Sequence, residues 1–120
     1  MNNYGGKAPL SYNKYLKVRE LVELQERLSL PAQHDELLFI IIHQTFELWF
    51  KQILHELDAT IEFIKQRRIA RAIRNLRRVC EIEKILVRQF AVLETMTPHD
   101  FLLFRDELKP ASGFQSAQFR

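Results

Sequence analysis

The sequence has little of what marks several protein classes. A single cysteine, Cys80, excludes an intramolecular disulfide framework, and no Cys/His pairs stand at zinc-ligand spacing. Three glycines and four prolines are too few, and too badly placed, for the turns of a β protein. No Asn-Gly or Asp-Gly turn joins alternating segments. The longest unbroken apolar run, Leu37–Ile42, falls far short of the roughly 20 residues that span a bilayer. The opening Met1-Asn2-Asn3-Tyr4-Gly5-Gly6 lacks a basic region followed by an apolar stretch, so no secretory leader is read there. Charge is nearly balanced, with 18 Lys+Arg against 15 Asp+Glu. A net +3 predicts no particular partner. The expectation is a water-soluble, cytoplasmic chain that neither enters a membrane nor binds nucleic acid.

What is present is helical periodicity. The chain reads as all-α, a helical bundle with two long antiparallel helices plus short flanking ones. Residues 1–10 read as a flexible arm. Ser11 is placed to cap a first helix of about 14 residues, which Ser29-Leu30-Pro31 breaks. A second helix opens at His34-Asp35-Glu36, with carboxylates at its positive end, and runs over about 35–65. Its apolar positions 42, 46, 49, 53, 57, 61 and 64 step by four and three. A parallel stripe, Phe39-His43-Phe46-Phe50-Leu54, runs beside them. A third helix over about 69–95 carries the seam Ile69, Ile73, Leu76, Cys80, Glu83, Val87 and Phe90. Ala72, Val79, Leu86 and Leu93 widen that seam, and Cys80 reads as a small core residue. Thr97-Pro98-His99-Asp100 is a helix start, with N-cap, proline at the first position and carboxylate at the third. That short helix is expected to reach about Leu108. Residues 37–64 carry more apolar surface than one partner helix covers, so further chain or further subunits are expected.

His43 is the most informative residue for chemistry. Phe39, Phe46 and Phe50 fall on its helix face. On spacing alone it is either a core histidine satisfied by one hydrogen bond or a pocket imidazole that meets a flat, apolar ligand. Arg105 follows Phe101 by four residues; it is either a surface ion pair with Asp106 or a fork that holds a carboxylate. Ser112-Gly113 is either a helix stop or a point of close backbone approach. Tyr12 and Tyr15 are most simply packing residues of the first helix. The set Arg67, Arg68, Arg71, Arg74, Arg77, Arg78 and Arg88 reads as a solvated face, through (i, i+4) pairs with Glu81, Glu83 and Glu94, rather than as a nucleic-acid surface. His34, His55 and His99 have no ligand-like spacing.

The string Phe39-Ile40-Ile41-Ile42-His43-Gln44-Thr45-Phe46-Glu47-Leu48-Trp49-Phe50-Lys51-Gln52-Ile53 closely resembles the tryptophan 2,3-dioxygenase family. So do His34-Asp35-Glu36, Leu93-Glu94-Thr95-Met96-Thr97-Pro98, Phe104-Arg105-Asp106, and Pro110-Ala111-Ser112-Gly113-Phe114-Gln115-Ser116. Tyr12-Asn13-Lys14-Tyr15-Leu16 is similar to the family's N-terminal Tyr-x-x-Tyr-Leu segment. These blocks follow the family order from residue 12 to residue 120.

The resemblance implies an all-helical, homotetrameric enzyme of the cytosol that carries haem b. Such an enzyme inserts both atoms of dioxygen across the indole 2,3 bond of L-tryptophan, giving N-formylkynurenine. By the same resemblance His43 is the catalytic, distal histidine that accepts a hydrogen bond from the indole N–H. Phe39 is the aromatic wall above the haem, and Ile40, Ile41 and Ile42 share the substrate-lining segment. Phe101 also lines the substrate, and Arg105 clamps its carboxylate. Ser112 and Gly113 lie at the haem edge, while Tyr12, Tyr15 and Leu16 close a neighbouring subunit's pocket. The family's proximal haem histidine and an ammonium-binding threonine lie beyond the matched blocks, so no metal ligand is expected in this chain. Residues 1–120 are accordingly expected to be the N-terminal part of one haem dioxygenase domain, completed by a C-terminal region or a complementary chain. A non-catalytic helical binding or assembly module on the same scaffold is the alternative.

Overall fold

The computed structural model describes residues 9–120, so most of the arm expected over residues 1–10 lies outside the described residues. It contains five α-helices, α1 Tyr12–Leu16, α2 Val18–Leu21, α3 His34–Lys65, α4 Ile69–Leu93 and α5 Pro98–Leu102. Two 3-10 turns follow, Arg105–Leu108 and Gly113–Gln115, and no strand forms among the described residues.

The centre is the antiparallel pair α3/α4. α3 ends in a Schellman turn with Arg67 in the left-handed region at φ 59°. The Arg68 and Arg67 N–H groups donate back to the Phe63 and Ile64 carbonyls at 2.8 and 3.0 Å. Thr45 lies 3.0 Å from Gln89, and Arg78 pairs with Glu56 at 3.2 Å. Both pairs are symmetric about position 67, so the helices run back along each other without a slip in register.

The buried seam of α4 differs from the expected one. Ala72, Asn75, Val79 and Ile82 are buried, and half-buried Leu86, Gln89 and Leu93 continue the same three–four spacing. The expected seam lies about 100° round the helix. It faces outward, with Ile69, Ile73, Leu76, Val87 and Phe90 each 42–67% exposed. Cys80 is exposed with them rather than buried. Both stripes have bundle spacing, and the sequence offers no sign of which one the single partner helix takes. Polar groups fill the chosen interface: Glu56, buried, accepts from Gln52 at 2.6 Å as well as from Arg78.

α3 is long and apolar enough, by length and composition, to cross a membrane. Within it Glu36, Glu56 and Thr60 are buried and hydrogen-bonded.

The expected first helix is shorter than its spacing suggests. Ser11 caps it, accepting from the Lys14 N–H at 3.2 Å, but Lys17 turns left-handed at φ 53° and ends α1 after five residues. The chain then crosses α3 as an irregular strap. Gln25 donates to Gln44 at 2.9 Å, and Gln44 donates to the Leu24 carbonyl at 3.0 Å.

Glu36 fastens the end of that strap. Its fully buried carboxylate accepts from the N–H groups of Leu28 and Ser29 at 2.9 and 3.0 Å, and from the Ser29 hydroxyl at 2.6 Å. Its role is therefore a loop anchor, beyond any interaction with the helix dipole. Burial raises its carboxyl pKa, but the Ser29 hydroxyl, the two backbone donors and the Arg27 charge together hold it below the ordinary value.

The chain leaves much surface uncovered. Its radius of gyration is 19.0 Å, against about 13–14 Å for a compact chain of this length. Its accessible surface is 9912 Å², roughly 3,000 Å² more than a compact fold of this mass exposes.

Candidate active site

An aromatic shelf forms where α3 meets α5. Thr97 caps α5 through a capping box: its side chain accepts from the Asp100 N–H at 3.1 Å, and Asp100 accepts from the Thr97 N–H at 3.3 Å. The Thr97 hydroxyl and N–H hold the Asp100 carboxyl below its usual range. That cap sets the entry of Phe101, whose ring stacks on Phe39 at 5.5 Å with a 27° interplanar angle. Phe104, fully buried, meets both rings edge-on at 5.5 Å and supports them from below.

His43 sits one turn along α3 from Phe39, with ring centroids 4.3 Å apart. Its Nδ1 lies 2.8 Å from the Phe39 carbonyl oxygen. A carbonyl only accepts, so Nδ1 carries the proton, and in the neutral ring Nε2 remains as an acceptor. Phe46 stands edge-on to the imidazole at 6.2 Å, and Phe90 of α4 approaches Phe46 at 5.3 Å. His43 is exposed, so this is a surface imidazole on an aromatic floor and not a core histidine.

The other expected site residues scatter around that floor. Ile42 is buried, Ile41 is 40% exposed and Ile40 is half-buried. Successive residues diverge by 100° on a helix, so the three do not line one wall. Phe101 and Arg105 do not share a helix face, because α5 stops at Leu102 and Arg105 begins a separate 3-10 turn that runs on to Leu108. Arg105 is exposed, and its expected partner Asp106 pairs instead with Lys109 at 3.2 Å. Arg105 makes no ion pair among the described residues.

Ser112 caps the second 3-10 turn, accepting from the Phe114 N–H at 3.2 Å, and open space surrounds the Cβ position of Gly113. Tyr12 and Tyr15 are 74% and 71% exposed and Leu16 is 45% exposed, so they are not packing residues within this chain. The arginine set is solvated as expected, but not by the expected pairs. Arg78 pairs with Glu56, Arg68 and Arg71 lie over the Phe63 ring, and none reaches Glu81, Glu83 or Glu94 among the described residues.

Two features escape sequence reading. Phe104 carries no periodicity signal, since the chain there is too short for one. Glu47, one turn after His43, receives the tail: the Ser116 hydroxyl donates to it at 2.8 Å, and the Gln118 amide at 3.0 Å. The tail forms a closed turn on α3. With Leu21 and Leu24 of the N-terminal strap, it encloses a groove of about 370 Å³ that His43 also lines.

The family model described as Tryptophan 2,3-dioxygenase matches residues 1–120. A protein of that name from Herpetosiphon aurantiacus is 53% identical over 111 residues, covering 92% of this chain and 43% of the relative. One from Nocardioides sp. is 54% identical over 117 residues, covering 94% and 44%. One from Dictyostelium discoideum is 50% identical over 118 residues, covering 91% and 29%. The chain therefore spans less than half the length of these relatives.

Proposed function

The chain belongs to the tryptophan 2,3-dioxygenase family, and from that premise we propose that it supplies the distal, substrate-holding part of a haem-dependent dioxygenase. The proposed reaction adds both atoms of O2 across the indole 2,3 bond of L-tryptophan, giving N-formylkynurenine. The observation that carries the reading is the fixed imidazole of His43. Its Nδ1–H is committed to the Phe39 carbonyl, which leaves Nε2 to accept the indole N–H.

Each remaining role follows from what the side chain offers. Phe39 and Phe101 give a flat apolar surface suited to an indole ring. Arg105, without an ion pair among the described residues, offers two parallel donors to the substrate carboxylate. Ile40 borders the same segment. Tyr12, Tyr15 and Leu16 are exposed, and their proposed role is to cover a neighbouring subunit's site in a homotetramer.

Haem b is the cofactor the family implies, and when bound it supplies the activation of dioxygen. The stacked Phe39 and Phe101 rings fit the face of a flat macrocycle, and the open surroundings of Gly113 fit approach by a large group. Phe39, Ser112 and Gly113 are the residues proposed to contact it. No metal-holding cluster of His, Cys, Asp or Glu exists among the described residues. The family resemblance, in which the proximal histidine lies beyond the blocks matched here, assigns the iron's protein ligand to further polypeptide, and the activity to a cytoplasmic assembly that contains it.

The test is the visible spectrum with added haem, with and without the remaining length of a relative. A Soret band perturbed by L-tryptophan in the completed assembly, with N-formylkynurenine appearing, supports the proposal. An assembly that binds haem but ignores L-tryptophan overturns it.

A further inference from the structure

Glu47 holds the C-terminal tail of the described chain at one point of α3. The Ser116 hydroxyl donates to its Oε2 at 2.8 Å. The Gln118 amide donates to Oε1 at 3.0 Å and to the Glu47 backbone carbonyl at 2.8 Å. The tail is closed on itself by the Arg120 guanidinium, which donates to the Phe114 carbonyl at 2.7 Å, and by the Phe119 N–H, which donates to Ser116 at 3.1 Å. Phe119 then rests on Phe50 at 5.7 Å. These are the tail's hydrogen bonds to α3 among the described residues, and all of them converge on Glu47.

We propose that Glu47 is a positioning residue, a latch that fixes where Ser112 and Gly113 stand relative to His43. The geometry supports this in three ways. Glu47 is one helical turn from His43, so a shift of the tail is felt beside the imidazole. Gln118 and His43 line the same groove of about 370 Å³, so the latched tail is part of the wall the imidazole faces. Gly113 stands three residues before Ser116 in a turn whose capping box, Ser112 with Gln115, makes it a rigid unit carried by the latch. A carboxylate suits the position because both oxygens accept and neither donates, matching one hydroxyl and one amide. The link to catalysis rests on the site proposed above; the latch itself does not.

The test uses the assembly that includes the remaining polypeptide, without tryptophan or haem, so its outcome is independent of the proposed reaction. Amide hydrogen exchange over residues 112–119 and the ring NMR signals of His43 are compared in wild type, Glu47→Ala, Glu47→Gln and Gln118→Ala. In Glu47→Ala, exchange in the tail is expected to rise about fivefold or more, as lost side-chain hydrogen bonds dictate. The His43 ring signals move with it, and exchange in α4 stays unchanged. Glu47→Gln restores one acceptor but turns a donor toward the other partner, so it falls between. Gln118→Ala, in the tail and outside the α3/α4 contact, leaves the helix pair folded and reproduces the effect if Glu47→Ala misfolds. Unchanged tail exchange in Gln118→Ala, or a loosened tail with unmoved His43 signals, overturns the proposal.

Discussion

The His43 imidazole is held twice by one residue: Nδ1 meets the Phe39 carbonyl oxygen at 2.8 Å, and the two rings lie 4.3 Å apart. Both contacts come from the preceding helical turn, so the orientation is built into α3 and needs no ligand. In the completed enzyme, His43→Ala removes one oriented acceptor. Catalysis is expected to fall about tenfold or more, from a hydrogen bond of ~1–2 kcal/mol. Helix content and haem content stay as in wild type, because His43 is not the proposed iron ligand. Loss of haem from His43→Ala contradicts the assignment and places this histidine on the proximal side.

Glu36 makes the N-terminal strap acid-sensitive. Its folded-state pKa lies below the ordinary 4.5, so the ionised form is favoured by folding. The stabilisation is therefore complete above about pH 4.5 and is lost as pH falls through the lower folded value. Hydrogen exchange at residues 28–33, followed down in pH, should show the strap loosening in wild type. In Glu36→Gln that pH dependence disappears, at a cost of about 1.5–3 kcal/mol at neutral pH for the charged hydrogen bonds removed. An identical acid profile in both proteins would remove Glu36 as the cause.

The two long helices were legible from their period, since neither Gln33 nor Arg68 makes a side-chain cap. His34 and Ile69 open them, and Thr97-Pro98-His99-Asp100 starts α5 with the expected capping box. Three other features were not legible, for distinct physical reasons. Lys17 ends α1 in a left-handed conformation that nothing in its residue type announces. α4 has two stripes at bundle spacing, the buried one carrying Asn75 and Gln89, and only packing selects Val79 over Cys80. Glu36 and Glu47 look like solvated charges, because their partners are a local loop and a tail some 70 residues away. In the site, periodicity put Phe39 beside His43, but the arrival of Phe101 and Phe104 on that floor is a long-range contact.

The uncovered surface predicts association. An excess of roughly 3,000 Å² per chain over a compact fold exceeds the ~800 Å² per partner of a standard interface and reaches the obligate range. Exposed Ile69, Ile73, Leu76, Val87 and Phe90 on α4 are part of it. Sedimentation at micromolar concentration should show oligomers, or a monomer that strongly binds an exposed-hydrophobe dye. A well-behaved monomer without dye binding counts against obligatory assembly.

Arg105 separates an amino-acid oxygenase from a general indole oxygenase. It is exposed at the start of its 3-10 turn, and Lys109 has taken the neighbouring Asp106, so its guanidinium is available. A charge-assisted, bidentate contact with a substrate carboxylate is worth about 2–3 kcal/mol when partly desolvated. In the assembly that holds the complete site, Arg105→Ala should therefore weaken L-tryptophan binding by roughly one to two orders of magnitude. Arg105→Lys keeps the charge but loses the fork, so binding also weakens, though less. Indole and tryptamine lack the carboxylate and should bind almost equally to all three proteins. Titration of each ligand against each variant gives the comparison directly. If Arg105→Ala leaves L-tryptophan affinity unchanged, the carboxylate is held elsewhere, and the free guanidinium is a solvated surface group.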